Sequence, residues 1–249
     1  MRVLISGLNG TLAPHLARRV VAEGGQVLPW RRELVDPADE TAGRQMLDRL
    51  RPDAIAHLAM GGEAWAAFLA REAGARQIPL LFTSTAMVFD AVPDGPHRLQ
   101  DTPNAREDYG RYKIRCEQGI RAANPAACIA RIGWQIDAEA RGNNMLAALD
   151  EWQASRGEVA ASRLWIPACS FMADTAAGLW QLLQARAQGI HHLDSNAVCA
   201  WGFDTLVQAL AQHFARSWQI RVTDEYRHDQ RLLGSEAWLP PLSARLAAR

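Results

Sequence analysis

From residue 2 onward, short apolar runs alternate with longer amphipathic ones, and few folds accommodate that order. Arg2 to Ser6 reads as a strand and Leu12 to Glu23 as a helix, with Gly24-Gly25 as punctuation before a second strand from Gln26 to Trp30. Asp39 to Arg51 carries a helical stripe of Met46, Leu47 and Leu50. Ala54 to Leu58 is a third strand and Glu63 to Ala75 a third helix. Leu80 to Thr83, led in by Pro79, gives a fourth strand, Asp108 to Ala123 a fourth helix, and Ala127 to Ile132 a fifth strand. Strands separated by helical periods predict an α/β fold: a Rossmann-type, doubly wound parallel sheet with right-handed crossovers. The remainder is less regular. It reads as a helix over Asn143 to Ser155, a helix capped by Asp174 and running to Ala187, a strand from Gly189 to Leu193, a helix from Phe203 to Ala215, and a tail with Pro240-Pro241 ending in Leu242 to Arg249. Residues 1–135 are therefore expected to form a dinucleotide-binding core. Residues 136–249 are expected to complete the sheet and supply a small C-terminal substrate-binding lobe.

Composition narrows the function classes. Apolar residues make up 49% of the 249, and 27 basic side chains balance 27 acidic ones. That is the make-up of a globular protein with a sizeable core, and it gives no charge-based reason to expect nucleic acid or a membrane as partner. Met1-Arg2 runs straight into the strand, no apolar run reaches membrane-spanning length, and a cytoplasmic location is expected. Cys116, Cys128, Cys169 and Cys199 are widely spaced and form no CxxC pair, so they read as reduced thiols and no metal site is expected. The nine tryptophans read first as packing residues; Trp134, Trp165 and Trp201 could also stack on a base or sugar.

The first strand ends in Ser6-Gly7-Leu8-Asn9-Gly10-Thr11-Leu12-Ala13. Glycines at a strand-to-helix turn let the backbone approach a pyrophosphate, which sits on the N–H groups opening the helix. The spacing Gly7-x-x-Gly10-x-x-Ala13 departs from G-x-G-x-x-G, but Ala13 is small enough for close helix–strand packing. Some 20 residues on, Trp30-Arg31-Arg32 stands where an acidic residue would bind the ribose 2′-hydroxyl of NAD and an arginine would accommodate the 2′-phosphate of NADP. Two arginines favour NADP, with NAD as the alternative.

Strand four ends in Thr83-Ser84-Thr85-Ala86-Met87-Val88-Phe89, at the strand end where α/β ligands bind. In Asp108-Tyr109-Gly110-Arg111-Tyr112-Lys113, a phenol and an ammonium four residues apart share one helix face. The ammonium is expected to lower the Tyr109 pKa from about 10. Tyr112 is a competing phenol, but it lacks the four-residue spacing to Lys113. The polar loop from Asp90 to Glu107 suits a substrate cover, and Arg98, Arg106 and Arg141 are candidate clamps for a diphosphate or carboxylate. His57 reads as a hydrogen-bonded strand residue, with a titrating pocket residue as the alternative.

The glycine turn, Ser84-Thr85-x-x-Val88-Phe89 and Tyr109-x-x-x-Lys113, in that order, resemble an extended short-chain dehydrogenase/reductase of the epimerase/dehydratase superfamily. The branch is similar to dTDP-4-dehydrorhamnose reductase. Arg51-Pro52-Asp53-Ala54-Ile55, Asp101-Thr102-Pro103 and Asp174 opening a late helix agree with it. The resemblance implies an NAD(P)-dependent oxidoreductase that reduces a keto group of a sugar, in all expectation a nucleotide-linked one. It gives Tyr109 the role of proton donor, Thr85 that of hydrogen-bonding the reacting carbonyl, and Lys113 that of binding the nicotinamide ribose and tuning the tyrosine. The cofactor set it implies is Gly7, Asn9, Gly10, Thr11, Leu12, Arg31, Arg32, Ala59, Ser84, Tyr109 and Lys113. The partner is a small-molecule substrate, and a homodimer is the expected assembly if the chain associates. Ala86-Met87 replaces the family's Asp-Tyr, the segment after Ala59-Met60 is short, and His57 replaces an Asn. A nucleotide-sugar epimerase or dehydratase, and a non-catalytic NADP-binding regulatory subunit, remain as alternatives.

Overall fold

A computed structural model describes residues 1–139 and 142–247. The chain divides into two compact units. The first comprises Met1–Thr85, Asp108–Arg131 and Ala176–His191; the second comprises Ala86–Glu107, Ile132–Thr175 and His192–Arg249.

The first unit holds a six-stranded sheet. Along the chain run β1 (Arg2–Ser6), α1 (Ala13–Ala22), β2 (Gln26–Pro29), α2 (Glu40–Leu50), β3 (Ala54–His57), α3 (Glu63–Ala75), β4 (Leu80–Thr85), α4 (Asp108–Ala123) and β5 (Cys128–Ile132). The fold class expected from the alternation is the one observed, a Rossmann-type sheet. β1 pairs in parallel with β2 and β3, and β3 with β4. The register sets Ser6 beside His57 and His57 beside Phe82 at the strand ends. Strands β1, β3 and β4 read as near-continuous buried runs, as they must when helices cover both faces. The Asp39 side chain caps α2 by accepting from Ala42 N at 2.9 Å, as its position before the apolar stripe predicts. Strand β4 extends two residues past Thr83, so Thr85 is its last residue and a short 3₁₀ turn, Ala86–Phe89, follows.

Strands β6 (Trp134–Ile136) and β7 (Val159–Ser162) and helix α5 (Met145–Arg156) belong to the second unit, with β8 (Trp165–Ile166) and β9 (Cys169–Phe171). Helix α6 (Met172–Gln184) follows, and β10 (Gly189–Leu193) is the edge strand beside β5, giving the sheet order β10-β5-β4-β3-β1-β2. Then come α7 (Phe203–His213), β11 (Ile220–Thr223) and β12 (His228–Asp229). Among its described residues, the second unit carries three two-stranded parallel pairings: β6 with β9, β7 with β11, and β8 with β12. Its core includes an aromatic group in which Trp134 stacks on Trp165 at 6.2 Å and Trp165 meets Phe203 at 4.3 Å. Asp174 corrects the sequence reading. Helix α6 begins at Met172, so Asp174 lies in its first turn and its carboxylate forms a bidentate pair with Arg245, both contacts at 2.6 Å.

Candidate active site

The turn after β1 is built by its glycines. Gly7 has φ +87°, and a Cβ there would lie 2.8 Å from the Ala59 nitrogen, so only glycine admits this approach of β1 to the end of β3. Gly10 N–H closes the turn on the Gly7 carbonyl at 2.8 Å. Helix α1 then starts at Leu12-Ala13 with Pro14 in its first turn and no side chain capping it. The glycine turn, with Asn9 and Gly10 exposed, leads into a helix N-terminus that no side chain caps, a setting that fits the pyrophosphate of a dinucleotide; within the helix, Pro14 offers no N–H and His15 N–H is taken by the Leu12 carbonyl at 3.0 Å.

Beside the turn, Ser6 uses its full hydrogen-bonding capacity. Its Oγ accepts the N–H groups of Leu58 and Ala59, both at 3.2 Å, so its own proton goes to His57 Nδ1 at 2.7 Å. The network assigns the remaining proton of neutral His57 to Nε2, which is buried without a hydrogen-bond partner, the ring lying edge-on to Trp65 at 4.5 Å. Burial first, then the charges of Lys113 and Arg32, lower the His57 pKa to about 3. His57 is thus the hydrogen-bonded strand residue the sequence suggested, not a titrating one.

At the end of β4 the Tyr109 hydroxyl is hydrogen-bonded to Thr85. Tyr109 lies in the first turn of α4 and is 41% exposed, whereas Lys113, one turn on, is 3% exposed. The Lys113 ammonium donates to the Thr83 carbonyl at 2.8 Å and sits 4.5 Å from the Phe82 ring centroid and 5.9 Å from that of Tyr109. Burial lowers its pKa to about 8. The Tyr109 pKa moves the opposite way from the sequence expectation. Desolvation raises it, and the Thr85 hydrogen bond offsets this only in part. Tyr112 is engaged elsewhere: its hydroxyl accepts Gly61 N–H at 3.2 Å, and burial pushes its pKa up to about 12.

Ser84 points to the other face of β4. Its hydroxyl donates to Glu117 Oε1 at 2.5 Å, and Glu117 forms a buried bidentate pair with Arg131 at 3.0 and 2.8 Å. Ala59 N–H is already committed to Ser6, and Leu12 is buried while Thr11 is half-buried. Arg31 and Arg32 are both exposed, and Arg32 turns back to donate to the Met60 carbonyl. In the second unit, Met87 Sδ accepts from Gln230 Nε2 at 3.8 Å, and Gln230 accepts from Trp165 Nε1 at 2.8 Å. There too the loop after Asp90 is tied down, with Asn104 N–H on the Val88 carbonyl at 2.8 Å and the Asp90 carboxylate accepting from Arg106 and Glu107 N–H. Arg98 and Arg106 are exposed, and Arg141 lies outside the described residues.

The sequence profile of the RmlD substrate binding domain matches residues 62–226, about two thirds of the chain. This chain belongs to the RmlD substrate-binding-domain family. The spore coat polysaccharide biosynthesis protein SpsK of Bacillus subtilis is 22% identical over 219 residues, covering 80% of this chain and 75% of the relative. A dTDP-4-dehydrorhamnose reductase of Mycolicibacterium smegmatis is 27% identical over 227 residues, covering 82% and 66% respectively. The aligned region thus spans about two thirds to three quarters of these curated relatives. The crystal structure of dTDP-4-dehydrorhamnose reductase from Bacillus anthracis in complex with NADP superposes with a TM-score of 0.80 at 18% identity, covering 98% of this chain and 96% of that one, a likeness of fold. The expected extended short-chain dehydrogenase/reductase, dTDP-4-dehydrorhamnose reductase-like, is therefore the family found. In this RmlD-family chain, sequence motifs single out Gly7, Thr85, Tyr109 and Lys113, but not the Ser6–His57 bond or the Glu117–Arg131 pair. The latter had a usable signal: Glu117 follows Lys113 by four residues and so shares its helix face.

Proposed function

We propose that the chain is an NADPH-dependent reductase of a keto group on a nucleotide-linked sugar. The observation that supports this most directly is the Tyr109–Thr85 hydroxyl pair at the end of β4, with the buried Lys113 ammonium one turn on. A reductase needs a proton donor at the carbonyl oxygen, and a phenol, neutral at pH 7, can supply that proton. Names among the relatives, including dTDP-4-dehydrorhamnose reductase, agree with a sugar-nucleotide substrate.

When bound, a nicotinamide dinucleotide supplies the hydride. The residues that would hold it are the Gly7–Leu12 turn, through backbone N–H groups, Arg32, and Lys113. As negative charge builds on the carbonyl oxygen, Thr85 donates a hydrogen bond and Tyr109 transfers its proton, leaving a secondary alcohol. The Lys113 ammonium stabilises the phenolate that Tyr109 becomes, and its hold on the Thr83 carbonyl keeps it next to β4.

The test is NADPH consumption with a dTDP-linked 4-keto-6-deoxyhexose. Turnover is expected in the wild type. Tyr109→Phe should lower kcat by roughly 10²- to 10⁴-fold while the NADPH Kd stays within about twofold. An active Tyr109→Phe variant overturns the assignment of the donor. Copurified, non-exchanging cofactor with no net NADPH consumption overturns reduction in favour of epimerisation or dehydration.

A further inference from the structure

We infer that Trp65 is a positioning residue: it holds the Arg32 guanidinium in the orientation that selects a dinucleotide bearing a 2′-phosphate. The inference rests on the NADPH reading above and names what sets the specificity of that site.

An exposed arginine at the end of a strand ordinarily samples many rotamers, and fixing one costs entropy. Arg32 is held at two points. Its guanidinium carbon lies 5.0 Å from the Trp65 ring centroid, and one terminal nitrogen donates to the Met60 carbonyl. The ring under it is itself immobile. Trp65 is 2% exposed and packs edge-to-face on His57 at 4.5 Å and on Trp30 at 5.3 Å. Trp30 is fixed in turn by its indole N–H on the Val35 carbonyl at 3.1 Å.

Room for this stack comes from Gly61. A Cβ there would lie 2.5 Å from Trp65 Cε3 and 3.6 Å from the nearest Arg32 nitrogen, so a side chain at 61 would displace the indole. The short glycine segment after Met60 is thus what lets a tryptophan back the arginine. The ring lies against a face of the guanidinium, and the nitrogens that do not donate to the Met60 carbonyl remain to bind an anion. A 2′-phosphate offers that anion and a 2′-hydroxyl does not. Arg32, backed by the Trp65 ring, is the arginine placed to read the phosphate.

The test uses the full chain and calorimetric titration with NADPH, NADH and the fragment adenosine 2′,5′-bisphosphate. The wild type is expected to bind NADPH more tightly than NADH. Trp65→Leu should shrink that preference by about tenfold, the scale of a cation–π contact to a desolvated ring. Trp65→Phe, which keeps an aromatic face, should shrink it less, and adenosine 2′,5′-bisphosphate should weaken in parallel with NADPH. The NADH Kd of both Trp65 variants should stay within about twofold of wild type. Arg32→Ala should abolish the preference. If Arg32→Ala abolishes it and neither Trp65 variant changes it, Trp65 does not position the arginine and the inference falls while the NADPH reading stands. Equal weakening of NADPH and NADH by the Trp65 variants would mark a purely structural role and overturn it as well. A wild type without preference for NADPH overturns the cofactor reading and this inference together. If Trp65→Leu does not fold, Trp65→Phe decides: a few-fold loss of preference upholds the inference and an unchanged ratio ends it.

Discussion

Desolvation is the largest influence on the pKa of Tyr109, Lys113 and His57. It raises the Tyr109 phenol, lowers Lys113 to about 8 and lowers His57 to about 3. The phenol stays neutral near pH 7, and the ammonium stays mostly charged there although burial favours loss of its proton. His57 is neutral and locked by Ser6, and that has a consequence for stability. Its folded pKa lies below its unfolded value of 6.5, so between pH 6.5 and about 3 the unfolded chain takes up a proton that the folded chain refuses. Stability therefore falls as pH drops through that window, by up to about 5 kcal/mol from this group. His57→Asn removes the titration while offering Ser6 a polar partner. Urea denaturation at pH 7 and pH 4.5 should show a smaller acid loss in the variant than in the wild type. An equal loss in both would mean that His57 is not the group responsible.

Helix α4 is the element that assembles the site, and its inward face shows how. Gly110, Lys113, Glu117 and Ile120 are buried at helical spacing. Lys113 ties the helix to β4 through the Thr83 carbonyl, and Glu117 ties it to Ser84 of β4 and Arg131 of β5. Glu117 and Arg131 are 4% and 1% exposed, so removing one partner strands a buried charge, at a cost of about 3–5 kcal/mol. Glu117→Leu should lower the urea midpoint accordingly, and Glu117→Leu with Arg131→Met should recover most of the loss. A double variant as unstable as the single one would refute the account. Much of this element was legible in sequence. Tyr109-x-x-x-Lys113, the start of α4 at Asp108 and the glycine turn all depend on local spacing. What was not legible depends on distance in sequence. The sign of the Tyr109 shift needs desolvation, which no local spacing reveals, and the Ser84 hydroxyl is bonded to Glu117, 33 residues away. The pairings β6–β9, β7–β11 and β8–β12 involve strands of two to four residues, too short to carry a period of their own. Asp174 satisfied the rule for a cap, but Arg245, 71 residues on, claims its carboxylate.

At the scale of the molecule, the two compact units are woven from alternating segments, and the chain passes from one to the other five times. Residues 176–191 belong to the first unit although they lie far beyond its other segments. There Gly189 N–H reaches the Ala127 carbonyl at 3.0 Å, Arg186 donates to the Gln77 carbonyl at 2.6 Å, and β10 lines the free side of β5. A chain cut after residue 135 keeps the glycine turn, Thr85, Tyr109 and Lys113 yet loses that strand. The cut would leave β5, whose residues 128–130 are buried, as an uncovered apolar sheet edge, the arrangement most prone to pairing with another chain. It would also leave residues 86–107 without the rest of the unit they pack in. The fragment 1–135 should therefore show no cooperative thermal transition by circular dichroism and should be digested by trypsin far faster than the full chain. A sharp sigmoidal melt for that fragment would show that the first unit does not need residues 176–191, and that the nucleotide half can stand alone as a continuous stretch of sequence.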